Sequence, residues 1–168
     1  MSKIAIEECL HRREGARLID VRSPIEFDAG HVPLAVNLPL FEDSERAEVG
    51  RLYRTEGKEA ALLLGLDIVG PKMRLLVEQG KKLAQNREVM LMCSRGGMRS
   101  SSVAWLFAQA GIPVRVVSGG YKAFLRWREG LLQRSLRLVM VYGKTGVGKT
   151  DLLKELSRCG EQVIDLEA

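Results

Sequence analysis

The 168-residue sequence predicts an α/β protein with a mainly parallel sheet flanked by helices. Two observations predict this class. Short apolar runs typical of strands alternate with segments of helical periodicity, so that each strand returns through a helix, as parallel strands require. The most apolar of these runs, 89–92, leads directly into a glycine-rich turn and then into a helical pattern. In such sheets ligands bind at the carboxyl ends of the strands, which is where this turn lies.

The composition limits the class of protein. Hydrophobic residues make up 46% of the chain and charged residues 28%, as in ordinary globular proteins. No apolar run is long enough to cross a membrane, and the first residues lack the apolar core of a signal peptide, so no membrane partner is expected. The net charge of +5 favours a polyanionic partner such as RNA, with a solvated basic surface as the alternative.

The three cysteines, Cys9, Cys93 and Cys159, lie far apart and lack the spacing of a metal site. A disulfide framework is therefore not expected, and a reducing cytoplasm is the natural setting. Cys9 fits a small core residue in a short helix that is predicted over residues 4–11.

The next elements follow from short patterns in chain order. A strand is predicted over 18–22, and a helix then begins with Ser23 as its cap and Pro24 at its first position. A turn over 30–33 ends this helix before another strand over 35–39. His31 in that turn is predicted to make a hydrogen bond that fixes the turn, and a role as a base is the weaker interpretation.

Residues 41–86 contain no strand pattern and predict an inserted helical block. Its helices are expected over 42–53, 58–66 and 71–85. After the strand 89–92, a helix runs to residue 110, with Ser100 to Ser102 as candidates for its cap. A strand over 113–117 and a helix over 121–132 then complete a first domain, which is placed at 1–134.

The turn after the strand 89–92 carries the main candidate site. Cys93 stands at the strand end just before a helix, so backbone N–H groups and the helix dipole place positive potential at its sulfur. This favours a nucleophilic thiolate and leaves room for an anion beside it, whereas a buried structural cysteine is the alternative. Arg95 and Arg99 could add charged donors to the same loop. The candidate anion-binding residues are Ser94, Arg95, Gly96, Gly97, Met98 and Arg99.

A second candidate site follows a strand predicted over 138–142. Residues 143–150 match G-x-x-x-x-G-K-[ST], the P-loop motif, and a helix is predicted over 151–159, which is the context that the motif requires. Lys149 would reach a terminal phosphate, and Thr150 could hold Mg²⁺. The candidate phosphate-binding residues are Gly143, Lys144, Thr145, Gly146, Val147, Gly148, Lys149 and Thr150.

Residues 135–168 contain a single strand–helix–strand pattern, with its last strand predicted over 162–167. One such unit cannot bury both faces of its sheet, so we expect an incomplete N-terminal part of a P-loop domain and a longer whole protein. Asp165 or Glu167 could assist a metal ion, and a solvated strand end is an equal alternative.

Several segments of the first domain resemble rhodanese domains. The runs 20–27, 30–33 and 35–39 resemble the N-terminal signature of that family, and the run 118–121 resembles its late Gly-Gly turn. Cys93 falls where the family carries its sulfur-accepting cysteine. Common rhodaneses place four residues between this cysteine and the loop arginine, whereas five separate Cys93 from Arg99 here. The longer loop suits a tetrahedral anion, as in rhodanese-fold phosphatases.

The whole combination resembles a narrower family, the tRNA 2-selenouridine synthases, in which a rhodanese domain precedes a P-loop domain. The run 93–100, the segments 50–53 and 65–72 of the helical insertion, and the appended P-loop carry this resemblance. It implies that tRNA is the partner and that selenium from selenophosphate replaces the sulfur of wobble 2-thiouridine. It also implies an S-geranylated intermediate made from geranyl diphosphate, and no tightly bound cofactor.

This resemblance gives each site a role. Cys93 would attack selenophosphate at selenium and carry a perselenide, with phosphate as the leaving group. The P-loop would hold a diphosphate, with a nucleotide as the alternative. Mg²⁺ could bind together with either ligand.

Two other kinds of function stay open. A rhodanese-fold phosphatase or sulfurtransferase would also use Cys93, because five intervening residues before the arginine is the phosphatase spacing. A phosphatase, however, does not need a P-loop. The second alternative is a noncatalytic fragment that binds tRNA or another partner, in which case Cys93 would carry neither selenium nor sulfur.

Overall fold

The computed structural model describes residues 2–12, 15–133, 135 and 139–166. The chain separates into two compact units, residues 1–133 and residues 134–168. In the described residues, no helix has the length and apolar character needed to cross a membrane.

The first unit contains a five-stranded sheet in which every pairing is parallel. The strands are β1 (Lys3–Ile4), β2 (Ala16–Asp20), β3 (Val36–Asn37), β4 (Glu88–Met92) and β5 (Val114–Val117). Their order across the sheet is β1-β5-β4-β2-β3, so β4 lies at the centre. The parallel sheet and its flanking helices confirm the predicted α/β class.

Seven helices accompany this sheet in the described part of the first unit. They are α1 (Ile6–Arg12), α2 (Pro24–Asp28), α3 (Asp43–Thr55), α4 (Lys58–Val69), α5 (Met73–Ala84), α6 (Met98–Gln109) and α7 (Gly120–Leu132). A 3₁₀ turn over Gly70–Lys72 joins α4 to α5. The predicted helical block between the third and fourth strands is therefore confirmed as α3 to α5. Ser23 precedes α2 and Pro24 is its first residue, also as predicted.

The central strand β4 is buried on both faces of the sheet. Val89 and Leu91 belong to a core cluster that includes side chains of α5 and α6. Met90 and Met92 point to the opposite face and pack in a second cluster with side chains of α1 and α7. All four side chains are fully buried. This double burial explains why β4 is a continuous apolar run and shows no alternation.

Two predicted boundaries in the first unit are wrong. Ile4 lies in a strand and not in the first helix, because β1 pairs with β5 at the sheet edge, a long-range contact that local periodicity does not reveal. The serines 100–102 do not cap α6, because the helix begins earlier, at Met98, with Gly97 as its cap. Ser100 therefore lies inside the first turn, where its hydroxyl can contact the preceding loop.

The second unit contains one helix, α8 (Lys149–Arg158), in its described residues. The strands predicted over 138–142 and 162–167 are wrong for their described parts, since 139–142 and 162–166 are not strands. Leu138 and Glu167 lie outside the described residues. A strand requires a neighbouring strand for its ladder of backbone hydrogen bonds, and neither segment belongs to the sheet that the described residues form. Most of their apolar side chains are accordingly exposed, with Tyr142 at 95%, whereas Val141 and Val163 are half-buried.

Candidate active site at Cys93

Cys93 directly follows β4, and its side chain is only 3% exposed. It continues the alternation of the strand, so its sulfur lies on the same face as Val89 and Leu91. The loop of residues 94–97 then leads to the N-terminus of α6. The cysteine thus stands at the carboxyl end of the central parallel strand, between a turn and a helix N-terminus.

The Cys93 sulfur is surrounded by hydrogen-bond donors. The Oγ of Ser100 lies 3.2 Å from the Sγ of Cys93. Backbone N–H groups of Arg95, Gly97 and Ser100 also point at the sulfur. Burial raises the pKa of the Cys93 thiol, but these hydrogen bonds outweigh burial and hold the pKa below its ordinary value. The site therefore favours the thiolate, the reactive form of cysteine.

Ser100 has a single hydroxyl proton and two partners for it. Its Oγ also lies 3.1 Å from the carbonyl oxygen of Gly97, to which the hydroxyl can donate. When Cys93 is a thiol, the S–H can donate to Oγ while the hydroxyl donates to Gly97. When Cys93 is a thiolate, the hydroxyl must turn to the sulfur, because the anion only accepts. The direction in which the Ser100 hydroxyl donates therefore depends on the charge of Cys93.

Backbone hydrogen bonds from the first residues of α7 hold the cysteine loop in place. The N–H of Tyr121 donates to the carbonyl of Cys93 at 2.9 Å, and the N–H of Lys122 donates to the carbonyl of Ser94 at 3.0 Å. Gly120 has a positive φ, and a Cβ there would collide with the carbonyl oxygen of Cys93. Only glycine permits this close approach. The Gly-Gly turn noted in the sequence therefore positions the cysteine loop.

Arg99 is held by a carboxylate at the edge of the site. Its Nη1 donates to Glu26 of α2 at 2.6 Å, and Arg46 of α3 lies 3.7 Å from the same carboxylate. Burial raises the pKa of Glu26, but Arg99, the N–H of Ser23 and Arg46 together lower it below its ordinary value. The side chain of Arg95 is exposed. Of the two predicted arginine donors, Arg95 thus contributes its backbone N–H, and Arg99 is paired with Glu26.

A buried ion pair supports the loop, and the sequence did not predict this role. Arg22 donates from Nη2 to Asp20 at 2.7 Å, and both side chains are almost fully buried. The same Nη2 donates to the carbonyl of Gly30 at 2.8 Å, and the guanidinium lies 3.9 Å from the ring centroid of Tyr121. The N–H of Tyr121 donates to the Cys93 carbonyl, so the Asp20–Arg22 ion pair stabilises the position of the cysteine loop through Tyr121. In the sequence, the opposite charges of Asp20 and Arg22 at the end of a predicted strand were the signal that could have indicated this ion pair.

His31 does not face the cysteine. Its Nδ1 lies 3.0 Å from the carbonyl of Phe27, and its ring stacks on the Phe27 ring at a centroid distance of 3.9 Å. The prediction that His31 fixes its turn by a hydrogen bond is confirmed. Cys9 is fully buried in the second core cluster, as predicted, and Cys159 is an exposed free thiol.

An open, largely apolar cleft lies beside the first turn of α6. It has a volume of about 370 Å³ and reaches from the helical insertion to Met98 and Arg99. Its apolar walls include Phe41, Val49, Ala61, Leu62, Leu66 and Val69. Among the described residues, the charged side chains that line it are all cationic: Arg46, Arg54, Lys58 and Arg99. Two of them, Arg46 and Arg99, are also within ion-pair distance of Glu26. The cleft therefore suits an apolar group attached to an anionic molecule.

The P-loop residues of the second unit surround the start of α8. Gly146 and Gly148 have positive φ angles, as tight phosphate-binding turns require. The Nζ of Lys149 donates to the carbonyls of Gly143 at 3.1 Å and Lys144 at 3.2 Å, so its ammonium lies over the loop. Thr150 lies in the first turn of α8. The described residues contain no group of three or more His, Cys, Asp or Glu side chains that could hold a metal ion.

The position of Cys93, between the central parallel strand and a helix N-terminus, agrees with the family that the chain matches. The family model described as Rhodanese-like domain matches residues 6–126. The chain belongs to the rhodanese-like domain family. The resemblance recognised in the sequence is thereby confirmed, and it covers β2 to β5, the helical insertion and the Cys93 loop of this rhodanese-like domain.

Curated relatives match most of the chain. The chain is 43% identical to the tRNA 2-selenouridine synthase of Hahella chejuensis over 148 residues, which is 84% of this chain and 39% of the relative. It is 39% identical to the tRNA 2-selenouridine synthase of Shewanella sp. (strain ANA-3) over 158 residues, 91% of this chain and 42% of the relative. These names agree with the narrower resemblance. The chain thus spans about two fifths of the length of these relatives.

A solved structure also resembles the rhodanese-like domain. It is the N-terminal domain of a protein from Clostridium difficile 630 that is named as ATP/GTP binding, with a TM-score of 0.69 and 37% sequence identity. The match covers 76% of this chain and 98% of that chain. The same arrangement of sheet and helices therefore occurs as a separate domain in that structure.

Proposed function

We propose that this chain is the rhodanese-like part, with the start of a P-loop domain, of an enzyme that replaces the sulfur of wobble 2-thiouridine in tRNA by selenium. The observation that carries the proposal is the Cys93 site, a cysteine whose hydrogen bonds favour the thiolate at the N-terminus of a helix. The names of the relatives support the choice of reaction within the family. The basic net charge of +5 supports a tRNA partner.

Selenophosphate is the proposed selenium donor, and Cys93 is the nucleophile that reacts with it to deliver selenium. The N–H groups of Met98 and Arg99 lie in the first turn of α6, where a helix offers them no intrahelical partner. They and the helix dipole can bind the oxygens of the donor. Arg99 itself belongs to this turn, and its side chain adds a positive charge to the donor site if it exchanges Glu26 for the donor.

The sulfur of the nucleoside is proposed to be alkylated by geranyl diphosphate, with diphosphate as the leaving group, so that a geranyl thioether forms. Replacement by selenium then breaks the bond between the nucleoside carbon and sulfur, and geranyl thiol leaves. The apolar cleft beside α6 supports the replacement step, because its walls can hold a geranyl group and two of its cations, Arg54 and Lys58, can contact the neighbouring tRNA phosphates. We place the geranyl group in the cleft while the nucleoside carbon faces the Cys93 loop.

The P-loop is proposed to hold the diphosphate of geranyl diphosphate. Lys149 now donates to two carbonyls of its own loop and can transfer these hydrogen bonds to phosphate oxygens. Thr150 would be the protein ligand of any Mg²⁺, whose other ligands would come from phosphate and water. A nucleotide is the competing ligand, as the name of the Clostridium difficile protein indicates for that protein.

The function is tested with the full-length protein in cells that lack their own copy. Nucleosides from tRNA are analysed by mass spectrometry for 2-selenouridine. We expect wild type and Cys159→Ser to form it, because Cys159 is exposed and lies in the second unit, and Cys93→Ser to form none. Formation of 2-selenouridine by Cys93→Ser would refute the proposed role. Hydrolysis of small phosphoesters without any effect on tRNA would favour the phosphatase alternative.

A further inference from the structure

Selenophosphate offers the Cys93 thiolate two atoms to attack, and the products differ. Attack at selenium forms an S–Se bond, and the Se–P electron pair leaves with phosphorus, so a perselenide and phosphite are formed. Attack at phosphorus forms an S–P bond, and the electron pair leaves with selenium, so a phosphoryl-cysteine and hydrogen selenide are formed. A perselenide together with phosphate, as expected from the sequence, requires an additional two-electron oxidant.

The electron balance of the whole reaction favours attack at phosphorus. Selenium is at the selenide level in the donor and in the selenouridine product, so the replacement of sulfur involves no net oxidation. The perselenide route needs a thiol to reduce its S–Se bond after transfer to the nucleoside. The phosphorus route needs only water, which later removes the phosphoryl group from sulfur as phosphate.

We propose that Cys93 accepts the phosphoryl group of selenophosphate and releases hydrogen selenide as the nucleophile for the nucleoside. This inference rests on the proposed function, because it takes selenophosphate as the donor. Hydrogen selenide then adds to the carbon that bears the thioether, and the geranyl thiol leaves with the C–S electron pair. Cys93 thus carries phosphorus between the two steps, in place of selenium.

The loop has the donors that a phosphoryl group needs. Five residues separate Cys93 from Arg99, and this wider loop suits a tetrahedral group. A phosphoryl group on sulfur has three oxygens, and the N–H groups of the first turn of α6 point out of the helix N-terminus toward them. Arg99 belongs to this turn; its side chain is paired with Glu26 at 2.6 Å and would reach the phosphoryl group by exchanging that partner. A perselenide ends in a single atom and would leave most of these donors unused.

Ser100 fits the second half of the reaction. When water attacks phosphorus, the S–P bond breaks and the sulfur leaves with the electron pair as a thiolate. The Ser100 hydroxyl, 3.2 Å from Sγ, can turn from the Gly97 carbonyl and donate to the departing sulfur. Ser100 is therefore a positioning residue that makes Cys93 a better leaving group.

The test is incubation of the chain with selenophosphate, followed by ³¹P NMR of the products and mass spectrometry of the Cys93 peptide. The selenium isotope pattern separates the two adducts, which have nearly the same mass. We expect phosphate in solution and a transient phosphoryl group on Cys93. Ser100→Ala should slow loss of this group on the order of tenfold, so the adduct accumulates. Ser102→Ala is the matched control, because its hydroxyl donates to the carbonyl of Met98.

Two results would overturn the inference, and a third would overturn only the role of Ser100. Phosphite in solution with selenium on Cys93 refutes it but leaves the proposed function intact, since Cys93 still opens the donor. No accumulation in Ser100→Ala while Cys93 is phosphorylated refutes the role of Ser100. Selenophosphate that stays unreacted, with no adduct on Cys93, refutes the proposed function as well.

Discussion

The Ser100 hydroxyl lies 3.2 Å from the Cys93 sulfur, although the two residues are seven apart in the chain and belong to different elements. Ser100 is fully buried in the first turn of α6, and Cys93 follows β4. The contact exists because the helix begins at Met98, so that its first turn faces the strand end. Helix and strand thereby share one reactive site.

The first prediction concerns the pH dependence of Cys93 alkylation. The pKa of Cys93 is lowered, so the thiolate exists at lower pH than in an ordinary cysteine, and the alkylation rate should rise at correspondingly lower pH. Ser100→Ala removes one of the hydrogen bonds that lower the pKa and should move the rate profile to higher pH. Ser102→Ala should leave it in place. Identical profiles for wild type and Ser100→Ala would contradict the assigned contact.

The second prediction concerns the close approach of the two loops. Gly120→Ala should destabilise the first unit by about 1–3 kcal/mol and slow alkylation of Cys93, because the new Cβ collides with the carbonyl oxygen of Cys93 at a positive φ. Gly130→Ala in the same helix is the matched control. Among the described residues, nothing except its chain neighbours and the backbone of its own helix lies within 4 Å of a Cβ there, so this change should be neutral or stabilising. Urea unfolding measures both variants, and equal stabilities would contradict the packing described.

The third prediction concerns the apolar cleft. Leu66 lines it and Leu63 does not, yet they lie on the same helix with exposures of 59% and 57%. In the full-length protein, Leu66→Ser should raise KM for S-geranylated tRNA by about tenfold, because apolar contact with the geranyl group is lost. Leu63→Ser should leave KM unchanged. Equal effects of the two variants would place the geranyl group elsewhere.

The fourth prediction separates the two anion sites. In the full-length protein, Lys149→Ala should stop geranylation of 2-thiouridine tRNA, because the ammonium that binds the terminal phosphate is lost, while Cys93 still reacts with selenophosphate. Cys93→Ser should do the opposite and let geranylated tRNA accumulate. Nucleoside analysis of tRNA from cells with each variant measures this. Intact geranylation in Lys149→Ala, or its loss in Cys93→Ser, would show that this division is wrong.

The sequence alone predicted the features that depend on local patterns. The buried run before Cys93, the helical insertion and the proline that begins α2 each leave a signal within a few residues. The position of Cys93 between the central strand and a helix N-terminus could be predicted for the same reason, since a strand, a glycine-rich turn and a helix follow one another directly.

Features that depend on distant partners could not be predicted. Ile4 joins the sheet through Val117, more than a hundred residues away, so its local pattern suggested a helix. Arg99 follows the cysteine loop in sequence, but it pairs with Glu26, which lies on another helix. The predicted strand at 139–142 has the composition of a strand but no partner among the described residues.

The central claim is that the Cys93 thiolate is the group that reacts with selenophosphate. Its most direct test is peptide mapping of the chain after incubation with selenophosphate, for wild type, Cys93→Ser and Cys159→Ser. We expect a covalent group on the Cys93 peptide in wild type and Cys159→Ser, and we expect Cys93→Ser neither to carry it nor to consume the donor. Consumption of selenophosphate by Cys93→Ser at the wild-type rate would show that Cys93 is not the reacting group.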